Sequence, residues 1–79
     1  MGINISELYG KRIISNEGKM LGEVKGVMLN FEDGTVSHLL LAEPEVFMKS
    51  ANPRNEILKK SVAYKRVKSI SETIIVGKE

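Results

Sequence analysis

Few residues in this chain have the types and spacing that catalysis needs. Its one histidine, His38, could act as a general base, but there is no cysteine for it to activate and the serines are scattered. Glu43 and Glu45 could pair as carboxylates, yet a two-residue spacing around Pro44 is more typical of a solvated acidic loop. Because catalysis requires convergent groups in a shaped pocket, the sequence predicts a protein that is not an enzyme, with His38 at a surface or interface.

Cofactor and metal sites are equally hard to assemble from these residues. Gly18, Gly22 and Gly26 match neither the dinucleotide-binding glycine pattern nor a phosphate-binding loop, and they fall where turns or bends are expected. A single histidine and no cysteine leave no set of nitrogen or sulfur ligands for a metal. The sequence therefore predicts no catalytic, cofactor-binding or metal-binding residues and no cofactor.

A cluster of positive charge is the main polar feature. Between Ile57 and Ser71 there is no acidic residue, and a basic patch of this kind attracts phosphates, anionic lipid or an acidic protein surface. Only Tyr64 offers an aromatic ring nearby, whereas single-strand nucleic-acid binders use several. Nucleic acid is therefore disfavoured as a partner, and a solvated face is the simplest interpretation. The patch consists of Lys59, Lys60, Lys65, Arg66 and Lys68.

Length and composition limit the class of protein. The 79 residues form one domain, residues 1–79, with 12 basic against 10 acidic residues. No apolar run approaches the roughly 18 residues of a membrane span, and Met1–Arg12 lacks the apolar core of a signal peptide. We expect a soluble, cytoplasmic domain. Because so short a chain buries a small core, a partner chain is the expected supplement.

Short runs of β-branched residues separated by turn residues predict an all-β domain. We expect strands at 12–15, 20–31, 35–42, 56–62 and 73–77, with a turn at 16–19 and a hairpin at Asp33-Gly34. The spacing of Tyr64, Val67 and Ile70 predicts one short helical turn. Two prolines and two asparagines predict an irregular segment over 43–56.

The longest predicted strand cannot be uniform. Val24 and Val27 cannot share a face in a strand with period two, so the sequence predicts a β-bulge at or near Gly26. A strongly bent strand of this kind favours a small β-barrel with strongly bent antiparallel strands.

Apolar residues exceed what one buried face requires. The runs Leu39-Leu40-Leu41 and Ile74-Ile75-Val76 are apolar on both faces, and no helix is expected to cover them. They predict a subunit interface, with local cover by 43–56 or by the N-terminal turn as the alternative. Val46, Phe47 and Met48 form a second apolar group in a polar segment. They either fill the mouth of the barrel or contact a partner, and partial burial at an interface is favoured.

The order of these features resembles the PRC-barrel domain. Gly10–Ser15, the turn 16–19, Leu21–Leu29 and Asp33-Gly34 are similar to the opening of that domain, and Val62–Ile70 with Ile74–Val76 is similar to its closing strands. The family includes a domain of the photosynthetic reaction-centre H subunit and the C-terminal domain of the ribosome maturation factor RimM. The resemblance implies a small bent-strand barrel that binds proteins and has no catalytic site.

A stand-alone domain of this length is most similar to short archaeal PRC-barrel proteins, and Ser61–Val67 supports that assignment. Some of that group act in cell division as homodimers or paired paralogues that bind SepF, the membrane anchor of the FtsZ ring. The resemblance thus implies a homodimeric scaffold, cytoplasmic or held at the division site by a membrane-anchored partner. The alternative is an RNA or ribosome-assembly adaptor resembling RimM.

Overall fold

The structure is a computed structural model that describes residues 5–78. Within those residues the chain is mostly β, with seven short strands, two short α-helices and single 3-10 turns at Ile5–Glu7 and Tyr64–Arg66. The strands are β1 (Arg12–Ser15), β2 (Met20–Glu23), β3 (Gly26–Leu29), β4 (Val36–Leu40), β5 (Ser61–Ala63), β6 (Val67–Ile70) and β7 (Thr73–Val76); the helices are α1 (Pro44–Met48) and α2 (Pro53–Lys59).

These strands form two separate sheets. The four-stranded sheet has the order β2-β1-β7-β6, and the three-stranded sheet has the order β3-β4-β5. All neighbouring pairs are antiparallel except β1 and β7, which are parallel. The expectation of an all-β domain is confirmed at this level, but the described strands do not close into one barrel.

The core lies between the sheets. Ile13 and Ile74 are in register on β1 and β7, Leu39 pairs with Val62 on β4 and β5, and all four are almost completely buried. Half-buried apolar side chains such as Leu21 and Val27 pack around them. The buried cluster consists of Leu8, Ile13, Val24, Leu39, Val62, Ile74 and Val76.

The turns follow the sequence-based expectation. The turn after β1 places Gly18 at φ 86°, and the β3–β4 hairpin places Gly34 at φ 72°. An L side chain rarely adopts such angles, so glycine is the residue that allows these turns to close. The predicted first strand is confirmed over the same four residues, Arg12–Ser15.

The predicted strand over 20–31 is two strands in different sheets. At the crossing, the amide of Val24 donates to Lys11 O and the amide of Lys25 donates to Leu40 O, each over 2.8–2.9 Å. Within residues 20–31, one register shift lies in β2 around Leu21 and another lies where Leu29 of β3 pairs with β4. The change of parity is therefore real, but the bulge predicted at Gly26 is wrong.

The prediction of an irregular segment over 43–56 is also wrong, because α1 and most of α2 lie there. Pro44 and Pro53 each occupy the first turn of a helix, where a missing amide hydrogen costs nothing and the fixed φ suits the helix. Asn52 caps α2 by accepting a hydrogen bond from the Asn55 amide at 3.3 Å. The strand predicted over 56–62 is accordingly reduced to β5. Of the three residues whose spacing predicted one helical turn, Tyr64 lies in the 3-10 turn Tyr64–Arg66, whereas Val67 and Ile70 lie in the strand β6.

Candidate functional site

The outer face of the four-stranded sheet carries a row of apolar side chains. Ile14 lies beside Ile75 on the parallel neighbour β7 and beside Met20 on the antiparallel neighbour β2. Because Ile13 and Ile74 face the core, alternation places Ile14 and Ile75 on the opposite side. Ile14 and Ile75 are half-buried and Met20 is 54% exposed. We call Ile14, Met20 and Ile75 the four-strand patch.

No described helix packs extensively on this patch. Within residues 5–78, α1 packs against α2 and α2 packs against β5, while the Tyr64–Arg66 turn packs against β4. The next row of the same face is polar: Arg12 lies between Glu23 and Thr73 on its neighbouring strands. Glu23 also forms an ion pair with Lys25, Nζ to Oε1 3.2 Å, on the surface. The patch is thus an apolar band next to a row with both signs of charge.

The six residues predicted to form a dimer interface have different positions in the structure. Leu39, Ile74 and Val76 are completely buried in the core, and Leu40 is 6% exposed on the other face of β4. Leu41 is half-buried against the core and beside Gly22, where its side chain would contact an added Cβ. Ile75 alone lies on an open sheet face. Ile14 and Met20 were missed by the sequence analysis, although the Ile13-Ile14 pair carries the same doubly apolar signal.

The apolar segment of α1 is divided between interior and surface. Phe47 is 7% exposed, whereas Val46 and Met48 are 37% and 82% exposed. Pro44, the first residue of α1, lies against the outer side of the three-stranded sheet, because a Cβ on Gly26 would lie 3.2 Å from both Leu40 and Pro44. The sequence analysis expected no helix beside Leu40, but the start of α1 lies there.

A cleft lies on the same outer side, between α2 and the end of β5. It has a volume of about 150 Å³ and is lined by His38, Leu58, Ser61, Ala63 and Arg66. His38 and Ala63 are cross-strand neighbours, and the Ser61 hydroxyl donates to Ile57 O in α2. Arg66 Nε donates to Gly77 O at 2.7 Å, which fixes the guanidinium against the last strand. We call this site the His38 cleft.

The predicted basic residues do not act as one free patch. Lys60 forms an ion pair with Glu56 at 3.5 Å, and Arg66 belongs to the His38 cleft. Lys59, Lys65 and Lys68 are exposed. Tyr64 is half-buried and packs against the core, so its ring is not presented for stacking.

No group of three or more His, Asp or Glu side chains within residues 5–78 could hold a metal ion. The pKa of Asp33 is lowered from its usual value of 3.8, because the Thr35 hydroxyl and the Thr35 amide both donate to its carboxylate in the hairpin. In the same part of the chain, no helix has the length and hydropathy to cross a membrane.

Within residues 5–78, two sheets pack around one core, an apolar row lies on one outer face, and no buried side-chain nitrogen or oxygen lacks a hydrogen-bond partner. The PRC-barrel domain model matches residues 1–77, so the chain belongs to the PRC-barrel family, a family of protein-interaction scaffolds. A comparison with curated proteins gave no significant match.

Proposed function

We propose that this protein is a non-enzymatic, protein-binding scaffold that associates with a second copy of itself through the four-strand patch. The observation that carries the proposal is the row formed by Ile14, Met20 and Ile75 across three strands whose other face is already the core. Apolar surface released from water contributes about 25 cal/mol per Å² before association costs, so a contiguous row favours association.

The polar row supports a second copy as the occupant of the patch. A two-fold contact brings the same surface together twice, so a residue on one copy meets a different residue on the other. Arg12 is exposed and Glu23 is half-buried on adjacent strands of this face. A two-fold pairing lets Arg12 of each copy meet Glu23 of the other, which complements the apolar band with opposite charges.

Sedimentation equilibrium tests the association. We expect the wild type to exceed its 8.8 kDa monomer mass at high micromolar concentration, and Ile75→Lys to sediment as a monomer. Phe31→Lys is the matched control, because Phe31 is 98% exposed at the hairpin and lies outside the patch. A wild type that stays monomeric, or a Phe31→Lys variant that dissociates as completely as Ile75→Lys, contradicts the proposed interface.

The finer form of this proposal concerns the partner. We propose that the scaffold serves archaeal cell division by binding SepF, supported by the resemblance of Ser61–Val67 to the division-associated PRC-barrel proteins. Calorimetric titration with purified SepF tests it. Absence of binding removes SepF as the partner and leaves the self-associating scaffold intact.

The rival function, an RNA or ribosome-assembly adaptor, has weaker support from the surface. Tyr64 packs on the core, and Lys60 is engaged with Glu56, which reduces the groups available to bases and phosphates. Binding through several phosphates weakens steeply as salt rises, whereas apolar contact responds little. A steep salt dependence of partner binding would therefore favour the rival.

A further inference from the structure

We propose that the His38 cleft binds an acidic side chain together with an adjoining aliphatic residue in an extended segment of a partner protein. The inference rests on the proposed protein-binding function and names the chemistry of the segment that is bound. The cleft is separate from the four-strand patch, because it lies on the outer side of the three-stranded sheet.

The cleft has the size and walls for a small group. Its volume is about 150 Å³, and a cavity of about that size elsewhere accommodates benzene. Ala63 forms an apolar floor on β5, and Leu58 stands at the side with 72% of its surface exposed. A large exposed aliphatic side chain beside a concave site favours a ligand that brings apolar surface of its own.

Arg66 supplies the donors for an anion in the cleft. Arg66 uses Nε for Gly77 O, and its terminal nitrogens have no partner among residues 5–78. The Ser37 hydroxyl donates to Met28 O at 3.1 Å, so His38 Nδ1, 3.2 Å from Ser37 Oγ, is the donor of that pair, and the neutral imidazole leaves Nε2 as an acceptor. The hydroxyl of Ser61 is already engaged with Ile57 O. An oriented guanidinium suits a carboxylate, because its parallel N–H groups match the two oxygens.

The charge around the cleft also favours a carboxylate ligand. No acidic side chain lines the cleft. The acid in α2 that could compete, Glu56, is held by Lys60 at 3.5 Å. The cleft is therefore cationic with an apolar side, which fits Asp or Glu next to Leu, Ile or Val better than it fits a bare phosphate.

Nitrogen-15 NMR titration of the folded protein tests the inference. The probe is the blocked dipeptide acetyl-Glu-Leu-amide, with acetyl-Gln-Leu-amide as the neutral control and inorganic phosphate as the competing anion. We expect saturable shifts at the amides of His38, Ala63 and Arg66, with a dissociation constant on the order of 1 mM for so small a ligand. The Gln peptide and phosphate should each bind at least about fivefold more weakly, because charge and apolar contact are both required.

Two variants and one control localise the binding. Arg66→Gln should weaken the Glu peptide about fivefold or more, while Lys59→Gln removes an exposed charge outside the cleft and should leave it unchanged. Leu58→Ser, at an exposed position that the fold tolerates, should weaken it about threefold even if Arg66→Gln fails to fold. Equal weakening by Lys59→Gln, equal affinity for the Gln peptide, or tighter binding of phosphate overturns the inference.

Sedimentation separates this inference from the proposed function. If Ile75→Lys abolishes self-association while the Glu peptide still binds, both proposals stand. If the peptide fails on a wild type that self-associates, the cleft inference alone is overturned. If Arg66→Gln reduces the sedimented mass as Ile75→Lys does, the cleft is occupied by a second copy, and the proposed partner segment is wrong.

Discussion

The outer faces of the two sheets differ in what covers them. On the three-stranded sheet, Leu40 is 6% exposed and Gly26 is buried, because α1 and Pro44 lie against them. On the four-stranded sheet, Ile14 and Ile75 are only half-buried and Met20 is 54% exposed. Both sheets have strands that are apolar on two sides, but among residues 5–78 an α-helix lies against the outer face of the three-stranded sheet only.

A strand that is apolar on both faces therefore has two different outcomes in this protein. A doubly apolar strand needs a second layer, which comes either from a later segment of the chain or from another molecule. Leu39-Leu40-Leu41 is followed at once by α1, so its second layer is local. Ile14 in β1 is followed by a tight turn, and Ile74-Ile75-Val76 lies in β7 beside it, so within residues 5–78 neither strand leads into a helix.

The largest expected effect comes from Leu40→Lys. The change places a charged amine beneath α1, where burying an unpaired charge costs several kcal/mol, so we expect a loss of about 4 kcal/mol in the free energy of unfolding. A domain of this size has little stability to lose, and the variant should be largely unfolded by circular dichroism at 25 °C. Ile75→Lys on the other sheet should stay folded, within about 1 kcal/mol of the wild type. Similar melting curves for the two variants would show that the two faces are not covered differently.

Gly26→Val is expected to have an intermediate effect. A Cβ at this position would lie 3.2 Å from the side chains of Leu40 and Pro44, so the added groups push α1 away from the sheet. Overpacking of this kind costs about 2 kcal/mol, measured by urea denaturation. Gly26→Ala should cost less, because it adds one carbon that a small shift of Pro44 accommodates. If the two variants are equally stable, the contact with α1 is not what requires glycine here.

The break in the predicted strand near Gly26 could be predicted from the sequence only in part. Parity changes along Leu21, Val24 and Val27 correctly indicate that the strand is not uniform, because side-chain alternation is a local property. Whether the break is a bulge or a passage between sheets depends on partners far along the chain, such as Lys11 and Leu40. The residues of the segment itself do not indicate which distant residues they pair with.

The helices were missed for a different reason. Pro44 and Pro53 indicate an interruption when their position in a helix is unknown, but at the first helical turn they favour the helix. Asn52 before Pro53 is a cap signal that the sequence did contain. Missing the helices also affected the predicted sites. Pro44 of α1 lies against Leu40, and Leu58 of α2 forms one wall of the His38 cleft, so neither feature could be predicted without them. The interface prediction at Ile75 depended only on strand alternation.

The smallest expected effect lies in the β3–β4 hairpin, which belongs to neither face. The Thr35 hydroxyl donates to Asp33 Oδ1 at 2.7 Å and is the largest cause of the lowered pKa of Asp33. Because the folded pKa lies below its usual value of 3.8, the ionised form stabilises the folded protein above that pH. The contribution is lost as pH falls through the lowered pKa.

Thr35→Ala should therefore raise the pKa of Asp33 toward 3.8, read from the carboxyl carbon in an NMR pH titration. Thr35→Ser keeps the hydroxyl and should keep the low pKa, since the hydrogen bond can still form. Neither variant should alter self-association or peptide binding, because the hairpin belongs to the three-stranded sheet, contributes no residue to the four-strand patch and does not line the His38 cleft. If Thr35→Ala changed the sedimented mass, the hairpin would be part of the contact between copies, and the comparison of the two sheet faces would have to include it.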